Sequence, residues 1–267
     1  MSRFRIILVG CGDVSQHWFD HIAKRNDCSF AALVDVDAGR ALAAKEKYGL
    51  HCPVFSSVDE AMESTEANLL CDLTYVTAHH GIVTKALYAG YDVLGEKPMA
   101  LTVEEANEMA LAAQKSGRRY IVMQNRRYIQ QAREIRDLIR SGMMGKPVYV
   151  CGDIFVGADL RSIRNRLEFP QMQDNNIHAF DHARFMADAD PVSVYCHSFN
   201  PAGSKYAGDA ASAAIFEFDN GAVFAFRGYN GAEGCLTTWD HSWRICCERG
   251  TIVWEGKGDG KYEYTDR

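Results

Sequence analysis

The amino-acid sequence predicts an α/β protein with two domains: a doubly wound parallel sheet in residues 1–122 and an α+β domain with a largely antiparallel open sheet in residues 123–267. Three observations predict this fold. Strand-like and helix-like segments alternate in the first part, strand-like segments follow one another closely in the second, and 47% of the 267 residues are hydrophobic. That amount of apolar sequence is sufficient for two separate cores.

The first part alternates short apolar runs with helix-like segments. Helices are expected to end at Gly49, Gly90 and Gly117, because glycine readily adopts the left-handed conformation that commonly follows a helix. Thr102 and Glu105 form a capping box at the start of the last helix. Strands separated by helices of this length pair in parallel. The predicted strands are 4–9, 29–36, 69–76, 92–94 and 119–123, and the predicted helices are 14–24, 38–48, 82–89 and 102–116.

The second part contains strand-like segments in closer succession. The strands predicted at 211–218 and 223–228 are separated only by a turn that includes Asp219-Asn220-Gly221, which indicates an antiparallel hairpin. A helix around Ile177–Met186 is expected to cover one face of the sheet. The other predicted elements are a helix at 130–140 and strands at 148–155, 192–197 and 243–247.

Composition excludes several classes of protein. A net charge of -6 and a pI near 5.8 argue against nucleic acid or an anionic membrane as the main partner. No stretch approaches the roughly 20 apolar residues of a membrane helix, and the N-terminus does not resemble a secretory signal. The nine cysteines include no C-x-x-C pair, which is typical of buried thiols in a reducing compartment. We therefore expect a cytoplasmic protein.

The turn after the first predicted strand has the pattern of a dinucleotide site. Gly10 permits a tight turn, and Gly12 lets a pyrophosphate approach the backbone. Asp13 and Val14 lead into a helix, whose N-terminus offers N–H groups and a positive dipole end to phosphates. Ser15 stands where glycine or alanine is usual and is only slightly larger. We assign Gly10, Gly12, Asp13 and Val14 to cofactor binding.

An acidic residue at the end of the second predicted strand supports this assignment. Asp35 lies 23 residues after Gly12, near the offset of a carboxylate that hydrogen-bonds the adenosine ribose hydroxyls. With Asp37 two residues further on, a 2′-phosphate would face two carboxylates and only Arg40 as a nearby cation. The sequence therefore predicts NAD rather than NADP.

Two further segments suggest a reaction site. Lys97 follows the strand predicted at 92–94, and the carboxyl ends of parallel strands face the ligand. Asp174 and His178 are expected one turn apart on one face of a helix, where a carboxylate can orient an imidazole acting as a general base. Asp181 and Arg184 are read as an ordinary helix ion pair. His182 is on the same face as His178, but no further ligand is spaced to complete a metal site, so we predict none.

An ordered set of motifs resembles the glucose–fructose oxidoreductase, inositol dehydrogenase and MocA (Gfo/Idh/MocA) family. The resemblance covers essentially the whole chain. It is based on the glycine turn at Gly10–Ser15, Asp35, Val76-Thr77-Ala78-His79, Gly95-Glu96-Lys97-Pro98, Gln124-Asn125-Arg126-Arg127-Tyr128 and Asp174-x-x-x-His178.

The resemblance implies a Rossmann domain and a second domain whose open sheet often packs against another subunit, hence a homodimer or homotetramer. It implies that Lys97, Asp174 and His178 are catalytic residues that also bind substrate, and that the Lys97–Pro98 bond is cis. Arg126 is a further candidate for substrate binding. The remaining candidate cofactor contacts are Thr77, His79, Glu96, Lys97 and Asn125.

Three departures from the family pattern concern the substrate pocket and the second domain. Ala78 replaces the usual proline after the threonine. Leu167–Gln173 stands where relatives have a glycine-rich stretch before the aspartate. Relatives also continue past the equivalent of Arg267, so we expect a shortened second domain.

The predicted function is hydride transfer between NAD and a hydroxyl-bearing carbon of a sugar, an inositol or a related polyol. Two alternatives are kept. One is a glycoside hydrolase that oxidises its substrate transiently with tightly held NAD, and the other is an NAD-binding regulator without turnover.

Overall fold

The computed structural model describes residues 3–158 and 167–265. The chain divides between Met123 and Gln124 into two compact units, here called the first and the second unit.

The first unit is a six-stranded sheet with strand order β3-β2-β1-β4-β5-β6, and every pair is parallel. Its strands are β1 (Phe4–Val9), β2 (Cys28–Val34), β3 (Val54–Phe55), β4 (Leu69–Asp72), β5 (Asp92–Gly95) and β6 (Tyr120–Val122). Its helices are α1 (Ser15–Ile22), α2 (Ala38–Lys47), α3 (Val58–Ser64), α4 (Val76–Tyr88) and α5 (Val103–Ser116).

Both faces of this sheet are buried. Ile7 and Val9 of β1 belong to one hydrophobic cluster, and Ile6 and Leu8 belong to another that includes Phe19 of α1. This alternation explains the short, continuous apolar runs in the sequence, because a parallel strand covered on both faces needs apolar residues at every position. The strand order reverses between β1 and β4, and ligands of such sheets bind outside the carboxyl ends of the strands at this switch point.

The second unit is a seven-stranded sheet with strand order β13-β12-β11-β7-β10-β9-β8. Only β7 and β10 pair in parallel, and the other pairs are antiparallel. Its strands are β7 (Pro147–Phe155), β8 (Pro191–Phe199), β9 (Ala211–Phe218), β10 (Val223–Tyr229), β11 (Ser242–Cys247), β12 (Gly250–Trp254) and β13 (Lys261–Tyr264). Its helices are α6 (Gln130–Arg140) and α7 (Asn176–Ala187), with a 3-10 turn at Asn125–Tyr128 and a π-helical turn at Gln171–Asn175.

One face of this second sheet forms a core with α6 and α7. Ile135 of α6 and Met186 of α7 share a cluster with Phe224, Phe226 and Trp243 of the sheet. The edge strand β8 is exposed over nearly its whole length. The predicted largely antiparallel, open sheet is therefore confirmed, as is the β9–β10 hairpin.

The structure corrects one strand boundary near the predicted site. The sequence predicts a strand at 69–76 and a helix at 82–89, but β4 ends at Asp72 and α4 already begins at Val76. Asp72 ends the strand because its Oδ1 accepts hydrogen bonds from the Thr74 N–H and hydroxyl, at 3.1 and 2.6 Å. The elements that the sequence did not predict are β3, α3, β12, β13, the 3-10 turn and the π-helical turn.

Candidate functional site

The glycine turn of the first unit has the geometry that a bound phosphate requires. Gly10 has a φ of +91°, and a Cβ there would lie 2.7 Å from the Leu73 carbonyl oxygen, so only glycine fits. Around Gly12, a Cβ would meet no atom within 4 Å. Among the described residues, the N–H groups of Gly12, Asp13 and Val14 have no hydrogen-bond partner. The turn thus offers free donors and open space at the start of α1.

Asp35 is fixed directly beside this turn. Its Oδ2 accepts the Cys11 N–H at 2.8 Å, and its Oδ1 accepts the Asp37 N–H at 2.9 Å. A carboxylate has about four acceptor positions, so two remain for ribose hydroxyls. Asp37 caps α2 by accepting the Gly39 N–H, and its carboxylate lies 3.6 Å from the Arg40 guanidinium. The residues present therefore fit an NAD adenosine ribose at this position.

The segment that contains Lys97 is held by several contacts. The Glu96 N–H donates to the Asp72 carbonyl oxygen at 2.9 Å. The Trp18 indole N–H donates to Glu96 Oε1 at 2.8 Å, and the Lys97 N–H donates to Glu96 Oε2 at 3.2 Å. The Lys97–Pro98 bond is cis, as the resemblance implied. Lys97 is thereby placed, half-buried, just past the carboxyl end of β5. Nothing in the sequence near Glu96 indicated Trp18.

His79, which the sequence assigned to cofactor binding, has other surroundings. His79 is 1% exposed, and its two ring nitrogens lie 3.0 Å from the Pro98 carbonyl oxygen and 3.1 Å from that of Thr74. It presents no ring nitrogen to a ligand and instead ties α4 to the Lys97 segment. Thr77 is exposed in the first turn of α4. Asp72, which the sequence analysis did not select, is fully buried, and burial raises the pKa of its carboxyl.

In the second unit, Asp174 lies in the π-helical turn and His178 in the first turns of α7. The expectation of one regular helix through both residues is therefore wrong. Asp174 is half-buried and His178 is 8% exposed. π-Helical turns occur frequently at functional sites, because they redirect side chains within a helix.

Buried polar contacts fix this turn to the sheet. Ser212 of β9 donates to Gln171 Oε1 at 2.9 Å and accepts from Asn176 Nδ2 at 3.0 Å. Gln171 and Asn176 are completely buried, and Ser212 is 3% exposed. Gly228 of β10 makes room, since a Cβ there would lie 2.0 Å from Gln171 Nε2. The sequence analysis missed all of these residues.

Arg126 lies close to acidic groups of the second unit. It belongs to the 3-10 turn, its side chain is 17% exposed, and its Nη1 lies 3.1 Å from Asp240 Oδ1. Burial lowers the pKa of Arg126, and the charges of Asp240 and Asp174 oppose that shift. The structure thus brings the predicted substrate residues Arg126 and Asp174 together. Asn125 is exposed in the same turn.

The predicted ion pair between Asp181 and Arg184 is wrong. Asp181 instead accepts a hydrogen bond from Arg127 Nε at 3.0 Å, which ties α7 to the 3-10 turn. Arg184 donates to Asp190 Oδ1 at 2.9 Å. Helical spacing favoured the local partner, but the buried carboxylate of Asp181 faces the 3-10 turn, and Arg184 is half-exposed.

Two buried histidines lie near Arg126. His182 and His241 are 0% exposed, and their rings interact with the backbone of Arg126 and of Asp240, respectively. Both rings pack against Trp243, with centroids 5.7 and 5.6 Å away. Burial is the largest cause that lowers the pKa of each imidazole. Within the described ranges, no group of three or more His, Cys, Asp or Glu side chains could hold a metal ion.

Comparison with known proteins gives two family matches. Residues 4–124 match an oxidoreductase family described as having an NAD-binding Rossmann fold, and residues 132–253 match the GFO/IDH/MocA C-terminal domain.

Two relatives are D-glucoside 3-dehydrogenase of Escherichia coli and inositol 2-dehydrogenase of Salmonella typhimurium. The first is 26% identical over 76% of this chain and 60% of its own length. The second is 27% identical over 54% of this chain and 44% of its own length. The chain thus matches less than two thirds of each of these two relatives. Among solved structures, the WlbA dehydrogenase of Bordetella pertussis, in complex with NADH and UDP-GlcNAcA, has a TM-score of 0.88 at 20% identity, over 99% of this chain and 84% of that one.

Proposed function

Because the chain belongs to the Gfo/Idh/MocA family of NAD-binding oxidoreductases, we propose that it transfers a hydride between a hydroxyl-bearing carbon of a sugar, inositol or related polyol and NAD. The main supporting observation is the glycine turn, where the N–H groups of Gly12, Asp13 and Val14 are without partners beside the fixed carboxylate of Asp35. Relatives named for a glucoside and for inositol support the substrate class.

Three side chains are proposed for the chemistry. His178 takes the proton of the substrate hydroxyl, Asp174 orients and supports the imidazole, and Lys97 hydrogen-bonds the reacting oxygen and stabilises its developing negative charge. NAD, when bound, supplies the hydride acceptor. The contacts of Glu96 and Trp18 serve to hold the main chain at Lys97.

We propose NAD as the preferred cofactor over NADP. A 2′-phosphate near Asp35 would approach the carboxylate of Asp37 as well, and Arg40 is already paired with Asp37. Replacing Asp35 with serine and Val36 with arginine should reverse the ratio of kcat/KM for NAD and NADP. An unchanged enzyme that already prefers NADP would contradict this proposal.

The test of the function is NADH formation with a panel of inositols, aldoses, glucosides and sugar acids. General acid–base catalysis contributes about 10²–10⁴-fold, so His178→Ala should lower kcat by that factor and leave the Kd for NADH unchanged. The exposed His51→Ala is the matched control. Cleavage of a glycoside without free NADH would indicate the hydrolase alternative, and NADH binding without turnover of any panel member would indicate the regulator.

The proposed assembly is a homodimer or homotetramer formed through the open sheet of the second unit. Val192 and Val194, which point to the same face of β8, are 66% and 59% exposed, and Tyr195 on the opposite face is 70% exposed. Light scattering coupled to size exclusion tests it, and a monomer would refute it.

The proposed location is the cytoplasm. None of the nine cysteines forms a disulfide, although Cys196 and Cys235 are exposed and only Cys52 and Cys71 are buried. Among the described residues, no helix is long and apolar enough to cross a bilayer.

A further inference from the structure

The surroundings of Arg126 bear on the class of substrate. An exposed arginine in a sugar-binding site is the usual partner of a substrate carboxylate, since its planar fork matches two carboxylate oxygens. Here the guanidinium is mostly buried and already lies 3.1 Å from Asp240 Oδ1. An incoming carboxylate would have to displace Asp240 or share the cation with it.

A second carboxylate acts on the same guanidinium. The charge of Asp174 acts on Arg126 in the same direction as that of Asp240, which is the larger of the two influences. His182 and His241, the titratable groups near Arg126, add no positive charge near neutral pH, because burial lowers the pKa of both. The positive charge of Arg126 is thus already matched by the Asp240 carboxylate, which lies 3.1 Å away and would repel an incoming anion.

Hydrogen-bonding capacity nevertheless remains. Nη1 of Arg126 lies 3.1 Å from Asp240 Oδ1 but makes no hydrogen bond of regular geometry, and Nε and Nη2 make none with the described residues. N–H donors are therefore left for a neutral acceptor. The Asp240 carboxylate likewise keeps acceptor positions for hydroxyl groups. A polyol hydroxyl can satisfy both groups without adding charge, whereas a sugar acid cannot.

We propose that Asp240 is a specificity-determining residue, which neutralises Arg126 and so selects neutral sugars and polyols against sugar acids. The inference rests on the proposed function only in requiring that the second unit binds the substrate. It concerns the charge of the substrate and is independent of whether hydride transfer occurs.

The test is a binding measurement on the full chain saturated with NADH, with D-glucose and D-glucuronate as probes. The two sugars share a ring and differ in the carboxylate at C6. The unchanged protein should bind glucose more tightly than glucuronate, and Asp240→Asn should shift the ratio of the two Kd values toward glucuronate by about tenfold or more. Asn retains the shape of the side chain, and the main-chain contacts of Asp240 to Thr238 and Trp243 do not involve its carboxylate.

Two further variants separate this effect from a general change in charge or fold. Asp188→Asn removes a carboxylate from a half-exposed ion pair with Arg140 and should leave the ratio unchanged. Arg126→Gln combined with Asp240→Asn should abolish the gain for glucuronate, because the gain depends on the guanidinium.

The proposal is overturned if the unchanged protein binds glucuronate as tightly as glucose. It is also overturned if Asp240→Asn acquires no affinity for glucuronate, or if Asp188→Asn shifts the ratio equally. Because binding is measured, the outcome is distinct from that of the turnover screen. If no NADH is formed, the proposed reaction is refuted, but the ratio of the Kd values for glucose and glucuronate still tests the role of Asp240.

Discussion

Replacing Gly228 with alanine should destabilise the second unit through one identifiable contact. Gly228 lies inside β10, where a Cβ would be 2.0 Å from Gln171 Nε2 and 2.9 Å from Ile154 Cγ2. Gln171 is completely buried, and its Oε1 accepts the hydroxyl of Ser212 at 2.9 Å. We therefore expect the glutamine amide to shift and to lose its hydrogen bond to Ser212.

The size of the effect follows from these two changes. Overpacking of a filled core typically costs about 1–3 kcal/mol, and loss of one hydrogen bond costs about 1 kcal/mol. We expect Gly228→Ala to lower the free energy of unfolding by about 3 kcal/mol, which corresponds to a fall in Tm of roughly 6–12 °C for a unit of this size. Because Asp174 lies in the displaced turn, kcat should fall as well.

The assay is differential scanning calorimetry on a double-mutant cycle with Gln171→Ala. Removing the glutamine side chain removes the nearest atom, so Gly228→Ala should cost much less in that background, with a coupling of about 2 kcal/mol. The contact with Ile154 leaves a residual cost. Gly157→Ala is the control, because its Cβ would meet only Leu236 Cδ1 at 4.0 Å. An equal loss of Tm in both backgrounds would refute the reasoning.

Three further predictions concern the first unit and the pH dependence. Gly10→Ala should weaken NADH binding at least about tenfold in a fluorescence titration, since a residue with φ of +91° is both strained and crowded, whereas Gly49→Ala, with a positive φ but open space, should leave the Kd unchanged. Trp18→Phe removes the hydrogen bond to Glu96, and we expect kcat to fall several-fold with little change in KM for NAD, an expectation that an unaltered kcat would contradict. Burial, reinforced by neighbouring positive charge, lowers the pKa of His241 well below 6.5, so the folded state keeps it neutral while the unfolded chain takes up a proton as the pH falls through 6.5. The free energy of unfolding is therefore unaffected by His241 above pH 6.5 and falls below it, by up to about 1.4 kcal/mol per pH unit. Tm should decrease on acidification, and it should decrease less steeply in His241→Asn.

The parts of the fold that the sequence predicted well are those with strong local signals. The bounds of β1, α6 and β9 agree with the predicted ranges, because an apolar run or an amphipathic segment ends there at a turn or a polar residue. The hairpin after β9 was predicted for the same reason. The first unit's parallel sheet followed from the alternation of such segments.

Elements whose limits depend on distant residues could not be predicted. Leu73, Tyr75 and Val76 extend the apolar run of β4, but the buried carboxylate of Asp72 bonds to Thr74 and ends the strand. The two-residue strand β3 has no periodicity to detect. Local pattern does not show whether a carboxylate will be buried.

The candidate site divides in the same way. The glycine turn and Asp35 form one local strand–turn–helix unit, and their positions were predictable. The contacts of Arg126 with Asp240 and of Gln171 with Ser212, which is 41 residues away, arise only when the second sheet is assembled. Asp181 illustrates the cost of relying on spacing, because helical proximity to Arg184 was outweighed by a buried pairing with Arg127.

The parallel contact between β7 and β10 has a consequence for biosynthesis. Both neighbours of β7 in the sheet, β10 and β11, lie far downstream of it in the sequence. In contrast, β8, β9 and β10 pair with strands that are next to them in the sequence. Such distant pairing slows folding, because the entropy of a long loop must be lost before the contact between the strands contributes any stability. During translation, the backbone groups at both edges of β7 would remain unpaired until β10 and β11 had been synthesised. We therefore expect the pairing of β7 with β10 and β11 to be a late step in the folding of the second unit.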